Sequence, residues 1–344
     1  MAKEKRYNPN MPSEGYDRAD LAALRASNIT PTLVGAQFRF DSAEDASLFF
    51  ARELDYIKAK TYDRIYPEFT ALNRFPITHE VPEGAETVTY YSYDKTGFAA
   101  IISNYATDLP RADVKGYPTT ASVKSVGSSY GYSVQEMRAS RMAGKSLDVR
   151  KAGAARYAIE RTINMIAFAG DAKHKLMGML SPDNNIPLFT LSTVDGKTSW
   201  KDKSATEILN DINGMFGYQA NLTQDVERAD ILALPSDVYI DISTRQIPNT
   251  GYTVKKFLME NAPYLKDIIS APELMGKNRE MNPYGENVAL LYTNDPEKFS
   301  LEIPMAFYQY PLQIRNLETI VPCEERVAGI IMYFPLSALI AVGV

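Results

Sequence analysis

Few residues of this chain are of a type and spacing to do chemistry. His79 and His174 are the only histidines, and neither has a second histidine or a carboxylate at the spacing of a helical metal motif. His174 lies between Lys173 and Lys175, which suits a polar surface turn. Asp171 and Asp183 bracket that stretch. Together they would suit acid–base hydrolysis; singly they suit turn capping, the commoner use of Asp in such a setting. The lone Cys323 excludes an intramolecular disulfide and any Cys-based zinc site. It reads as a small buried hydrophobe, in a chain made in a reducing cytoplasm. Glu324-Glu325-Arg326 suits ion pairing across an interface better than proton transfer. No G-x-S-x-G, phosphate-binding glycine loop or G-x-G-x-x-G after a strand occurs. No catalytic residue, metal ligand or cofactor site is therefore expected.

The denser signal is positive charge. Between Arg138 and Lys175 the cations are Arg138, Arg141, Lys145, Arg150, Lys151, Arg156, Arg161, Lys173 and Lys175, against only Asp148, Glu160 and Asp171. The whole chain has a formal net charge of -5. Such a run is either the solvated face of an amphipathic helix or a surface turned toward a polyanion. The candidate basic face is Arg138, Arg141, Lys145, Arg150, Lys151, Arg156 and Arg161.

That face rides on a long helical candidate from Ser133 to Gly170. Ala152, Ala155, Ile159, Ile163 and Ile166 recur at spacings of three and four, which places them on one side. Val134, Met137, Arg141 and Met142 continue the register upstream. Unbroken, the helix would run roughly 55 Å at ~1.5 Å per residue. Gly144 weakens it, so a bend there is expected, with Ser146 as a possible second N-cap. A Gly- and Pro-bounded turn follows, to Pro187.

The 344 residues, 45% hydrophobic and 23% charged, can bury a sizeable core in two or three units. Twenty-two tyrosines suit surfaces covered only on association. The opening residues do not form a secretory signal. Up to about residue 35 the chain reads as an extended arm, and Ser42–Ile57 as a helix. Tyr66–Glu80 reads as short extended pieces. Thr87–Tyr93 is a strong strand, followed by strand candidates Gly97–Tyr105 and Thr119–Tyr132, with turn chemistry at Asp94–Gly97 and Asp108–Gly116. Thr87–Tyr132 is thus an antiparallel excursion too poor in aliphatics to hold its own core, best placed on a neighbouring subunit.

Beyond the turn comes an α/β region. Ser204–Glu207 is a capping box, and Ile208, Ile212, Met215 and Phe216 follow at helical spacing. Ala229–Leu234, Lys266–Ser270 and Asn287–Tyr292 read as strands; helices are expected after Pro235 and over Thr253–Asn261. The C-terminal part is strands: Ser300–Ile303, Phe307–Arg315, Thr319–Pro322 and Val327–Phe334. The uncharged Ala328–Val344 is too short for a spanning helix and is broken by Pro335, so buried strands are expected there.

The stretch ARYAIERTINMIAFAGDAKHKLMGMLSPDNNIP (Arg156–Pro187), where an apolar helix ends at Gly-Asp before a turn, resembles the spine-helix end of tailed-phage major capsid proteins of the Hong Kong 97 type. The C-terminal PLQIRNLETIVPCEERVAGIIMYFPLSALIAVGV is similar to that family's last strands, and the order of elements agrees from about residue 40 onward. The resemblance implies an α+β fold with an N-terminal arm at 1–40 and an extended two-stranded loop at 87–132. It implies a peripheral domain with a long spine helix from 41–86, 133–189 and 297–344, and an axial domain at 190–296. It further implies hexamers and pentamers closing an icosahedral shell around double-stranded DNA. The implied setting is a virion assembled in the host cytoplasm, with scaffolding protein, portal and a decoration protein as the implied partners. The arm is too short for a large scaffolding segment, pointing to a separate scaffold or a mature chain. Competing expectations are a nanocompartment shell of the same fold, a tail or baseplate protein, and a soluble hydrolase using Asp171 and Asp183.

Overall fold

The computed structural model describes residues 68–97, 111–144 and 148–344, which fall within one unit, Pro67–Val344. The expected arm at 1–40, the helix Ser42–Ile57, most of the strand Gly97–Tyr105, Lys145 and Ser146 lie outside the described residues. Where the sequence suggested only extended pieces, a five-residue helix α1 (Thr70–Arg74) precedes the short β1 (Ile77–Thr78). The β-branched and aromatic run then forms β2 (Thr87–Thr96). It pairs residue for residue with antiparallel β3 (Asp113–Ser122), from Thr87 opposite Ser122 to Thr96 opposite Asp113. The turn residues Asp94–Thr96 and Asp113–Gly116 are absorbed into this ribbon, because each finds a cross-strand partner. The excursion also ends earlier than Tyr132. The next strand, β4 (Lys124–Ser133), joins the body of the protein, where Tyr130, Tyr132 and Val126 supply the apolar face that aliphatics do not.

The basic segment forms two helices. Helix α2 (Val134–Ala143) starts at a reciprocal capping box between Ser133 and Glu136 and ends at Gly144, whose φ of 63° is left-handed. Helix α3 (Asp148–Ala169) follows, 22 residues or roughly 33 Å long. The continuous 55 Å helix does not form, since the left-handed glycine stops α2. Ala155, Ile159, Ile163 and Ile166 are buried as their spacing requires, whereas α2 buries nothing. Past α3 the chain doubles back so tightly that backbone meets backbone. Met179 N–H donates to the Ala167 carbonyl (2.7 Å) and Leu180 N–H to that of Phe168 (2.8 Å). A Cβ on Gly178 would stand 2.2 Å from the Gly170 nitrogen, so only glycine fits there.

The rest of the chain builds β5 (Leu188–Phe189), α4 (Ala205–Thr223), β6 (Ile231–Leu234), α5 (Ser236–Thr244), α6 (Val254–Asn261), β7 (Asp267–Ser270) and β8 (Val288–Tyr292). It closes with β9 (Phe299–Glu302), β10 (Met305–Gln309), β11 (Gln313–Arg315), β12 (Glu318–Val327), β13 (Gly329–Met332) and β14 (Ala338–Val342). Ser204 and Glu207 form the anticipated capping box on α4. The Phe307–Arg315 run splits into β10 and β11, with Pro311 between them. Three body sheets result: β5-β14-β8-β6-β7, β1-β9-β13, and β10-β12-β11 with β4 along β12.

The five-stranded sheet explains the uninterrupted apolar runs, because both of its faces are buried. Ile231, Ala233, Leu290, Tyr292, Ala338 and Ile340 pack into the core that holds α3. Their neighbours Leu232, Leu234, Ala289, Leu291, Leu339 and Ala341 pack into the core of α4, α5 and α6. The apolar tail is two buried strands joined by a turn at Pro335–Ser337, and no described helix is long and apolar enough to cross a membrane. Residues of β9, β12 and β13 pack into the core that holds α3, whereas β14 joins the central sheet. It has no polar face, so it sits between the two cores.

Candidate interaction surfaces

Directly opposed residues of an antiparallel pair share a face. On one face of the β2–β3 ribbon, Val88, Tyr90, Thr119 and Ala121 turn toward the body at its base. Tyr90 donates its hydroxyl to the Met332 carbonyl (3.0 Å) and meets Tyr333 edge to face at 5.1 Å. Burial raises both phenol pKa values above their ordinary range. The other face carries Tyr91, Tyr93, Val114, Gly116 and Pro118. Tyr91 is 63% and Tyr93 70% exposed. The Tyr93 ring lies over Gly116, where a Cβ would come within 3.0 Å of it. With Lys95 opposite Val114 at its far end, the result is a mainly apolar stripe that no described residue covers. Leu312, Ile314 and Leu317, at the β11–β12 hairpin, are likewise well exposed.

The seven cations do not make one open face. Arg138 and Arg141 are exposed on α2, and no ion pair to either is found among the described residues. Arg150 is exposed on α3, and Lys145 lies outside the described residues. Lys151 donates to the Gly131 carbonyl (2.8 Å) and to Glu136 (3.0 Å), and lies over the Tyr132 ring. The Lys151 bond holds the Glu136 carboxyl below its ordinary range. Arg156 pairs with Glu160 at 2.6 Å, and Arg161 with Glu280 at 2.7 Å. Glu136 lies just before the counted run and Glu280 far along the chain, so local charge counting missed both.

The remaining chemistry-bearing residues serve local structure. His174 has a carboxylate partner inside its turn: its Nδ1 lies 2.6 Å from Asp171 Oδ2. That bond, with the Lys173 and His174 N–H groups, holds Asp171 below its ordinary range. Asp183 occupies a different turn, Pro182–Asn184. His79 Nδ1 sits 2.6 Å from the Ile303 carbonyl, which makes it the donor there. Cys323 is buried, as expected. Within the chain the Glu324–Arg326 triplet is divided between two faces of β12. Glu324 accepts the Tyr310 hydroxyl (2.6 Å), and Arg326 donates to the Glu83 and Ala85 carbonyls. Glu325 turns beneath α3, 6% exposed, and its Oε2 has no hydrogen-bond partner. Burial, then nearby Glu160, push its carboxyl up to about 7. Among the described residues no group of three or more His, Cys, Asp or Glu is placed to hold a metal.

A spine helix doubling back at a glycine turn, a protruding ribbon and a central sheet between two cores together define the Hong Kong 97 type of capsid fold. The capsid of Myoviridae phage XM1 is similar over 87% of this chain and 100% of its own, with a TM-score of 0.75 at 16% identity. A chain from Mycobacterium phage Bobi is similar over 85% of this chain and 96% of its own (TM-score 0.60, 14% identity), and the capsid of an empty GTA particle over 88% and 97% (0.60, 10%). At these identities the likeness is one of fold. No curated protein matches the sequence. The family model described as major capsid protein matches residues 97–344, and this chain belongs to that family.

Proposed function

We propose that the chain assembles as hexamers and pentamers into an icosahedral shell around a phage double-stranded DNA genome. The observation that carries this reading is the ribbon. A two-stranded ribbon is marginal in water by itself. This one also presents Tyr91, Tyr93, Val114 and Pro118 outward with no cover among the described residues. A second copy supplies that cover if the ribbon, Thr87–Ser122, reaches over an adjacent subunit. Each such contact can be weak, because closure multiplies it. In this reading α3 is the spine of a peripheral domain, and α4–α6 with the central sheet form the axial domain. Scaffolding protein, portal and a decoration protein are the further partners, and assembly takes place in the host cytoplasm before the subunits become part of the virion.

The basic face is retained in narrower form. Lys151, Arg156 and Arg161 already hold carboxylates, so Arg138 and Arg141 carry the non-specific contact with packaged DNA. Purified protein, with and without scaffold, is to be examined by negative-stain electron microscopy and light scattering. Closed shells, or capsomers that close when scaffold is added, are expected. Tyr91→Ser with Tyr93→Ser should leave folded subunits that no longer close. Arg138→Gln with Arg141→Gln should leave empty shells intact and lower genome content. A subunit that stays monomeric or dimeric under every condition overturns the shell, and equal DNA content in mutant and parent particles overturns the basic face.

A further inference from the structure

Glu160 of α3 and Glu325 beneath it share one nearby arginine, Arg156. Glu325, on β12, points up from the sheet beneath the helix. Its same-face neighbours Cys323 and Val327 are buried and apolar. Val126 faces it from β4 and carries no charge. The charged and titratable groups around it are Arg156 and Glu160 of α3 and His79. His79 is already tied to the Ile303 carbonyl at 2.6 Å. Arg156 spends its Nε on Glu160, at 2.6 Å, and rests against the Phe307 ring at 5.8 Å. Glu325 Oε2 is thereby left buried with no partner, which suits a carboxylic acid and penalises a carboxylate.

We propose that Arg156 is a shared cation: it pairs with Glu160 while Glu325 is protonated, and turns beneath α3 to Glu325 when Glu325 loses its proton. The Arg156 side chain borders open space. Ala152, Gly153, Phe307, Tyr308 and Gln309 line an open cleft with Arg156 at its wall, and Gly153 has nothing within 4 Å of where a Cβ would be. Its own side chain is 63% exposed, so no packed core holds it at Glu160. A buried carboxylate beside a second carboxylate needs a counterion, and Arg156 is the arginine or lysine acting on it. The change would cross neutral pH, where the Glu325 carboxyl is poised at about 7. Its outcome is a swap of charge on the outer face of α3, with Glu160 released as Arg156 withdraws. This device is intramolecular and does not depend on the shell.

The test is NMR of the whole chain carrying ¹³C-labelled glutamate carboxyls and ¹⁵N-arginine, titrated from pH 5 to 9. One carboxyl signal should titrate near neutrality and vanish in the isosteric Glu325→Gln. The Arg156 Nε–H signal should move with the same midpoint in the parent protein and stay fixed across the range in Glu325→Gln. Arg156→Gln should move the Glu325 midpoint upward, because its counterion is gone. A Glu325 signal that titrates in the ordinary carboxylate range overturns the proposal. So does an Arg156 signal that ignores pH, or one that still moves in Glu325→Gln.

Discussion

Asp211 should be the residue whose loss costs this fold most among its polar groups. Its carboxylate accepts four donors: the Ser192 hydroxyl (2.5 Å) and N–H (3.2 Å) on Oδ1, and Trp200 Nε1 (3.0 Å) and Lys203 Nζ (2.5 Å) on Oδ2. The Lys203 and Asp211 side chains are 0% and 2% exposed. Asp211→Ala strands an ammonium in the core of α4–α6, at a cost of about 3–5 kcal/mol. The orphaned indole N–H and hydroxyl add about 1 kcal/mol or more each. Against a typical total stability of about 5–15 kcal/mol, that is enough to open this half of the subunit. Trp200 is the only tryptophan in the chain and is bonded to Asp211, so its fluorescence reports the site directly. Urea denaturation of unassembled subunits is the assay, since assembly would add its own stability. Replacing the pair with apolar residues, Lys203→Met with Asp211→Leu, should recover most of the loss. If Asp211→Ala unfolds within about 1 kcal/mol of the parent, or the double variant is no better than the single, the buried pair is not what organises this core.

Two further outcomes follow from single positions. Gly178→Ala places a Cβ 2.2 Å from the Gly170 nitrogen and 2.6 Å from the Ile166 carbonyl oxygen. Neither backbone atom can retreat, so a loss of at least about 3 kcal/mol is expected in the same urea assay. Gly153→Ala, on the same segment with open space around it, should instead gain up to about 1 kcal/mol. Glu325 sets a pH dependence: its carboxyl is raised from the ordinary 4.5 to about 7 in the folded chain. Folding therefore takes up a proton between those values, and stability falls as pH rises through that window and levels off above it. The loss is at most about 3 kcal/mol, less whatever Arg156 returns as a counterion. Thermal melts of Glu325→Gln and parent at pH 5 and 8 should show the dependence in the parent and a flatter one in the variant.

What the sequence made legible was periodicity. The three-and-four spacing of Ala155, Ile159, Ile163 and Ile166 placed the buried face of α3, and Ser204–Glu207 placed the start of α4. What it concealed was pairing between distant segments. Lys124–Ser133 looked like ribbon because its aliphatics are few. It lies in the body because β12 offers it ten successive partners. Arg161 counted as free charge because Glu280 is 119 residues away. Gly178 carried no local signal, since its constraint comes from backbone folded back onto it. Glu325 sat between two charged neighbours and read as surface. Strand alternation alone sends it inward while Glu324 and Arg326 point out.

Both departures from the ordinary rule of apolar inside and polar outside are informative here, and they differ in kind. Lys203 and Asp211 are polar groups buried in a core, but they are paired with each other and bonded to Ser192 and Trp200 within the chain. Such a network narrows the ways the core can pack and asks nothing of a neighbour. Tyr91, Tyr93 and Val114 are apolar groups left in water on a ribbon that has no core of its own. No rearrangement of the ribbon itself can cover them, because its opposite face is already turned to the body through Tyr90 and Ala121. Among the described residues nothing removes the deficit, and in a family of shell proteins the molecule at hand is another copy. Glu325 stands between the two cases: buried like Asp211 but left one partner short like the ribbon.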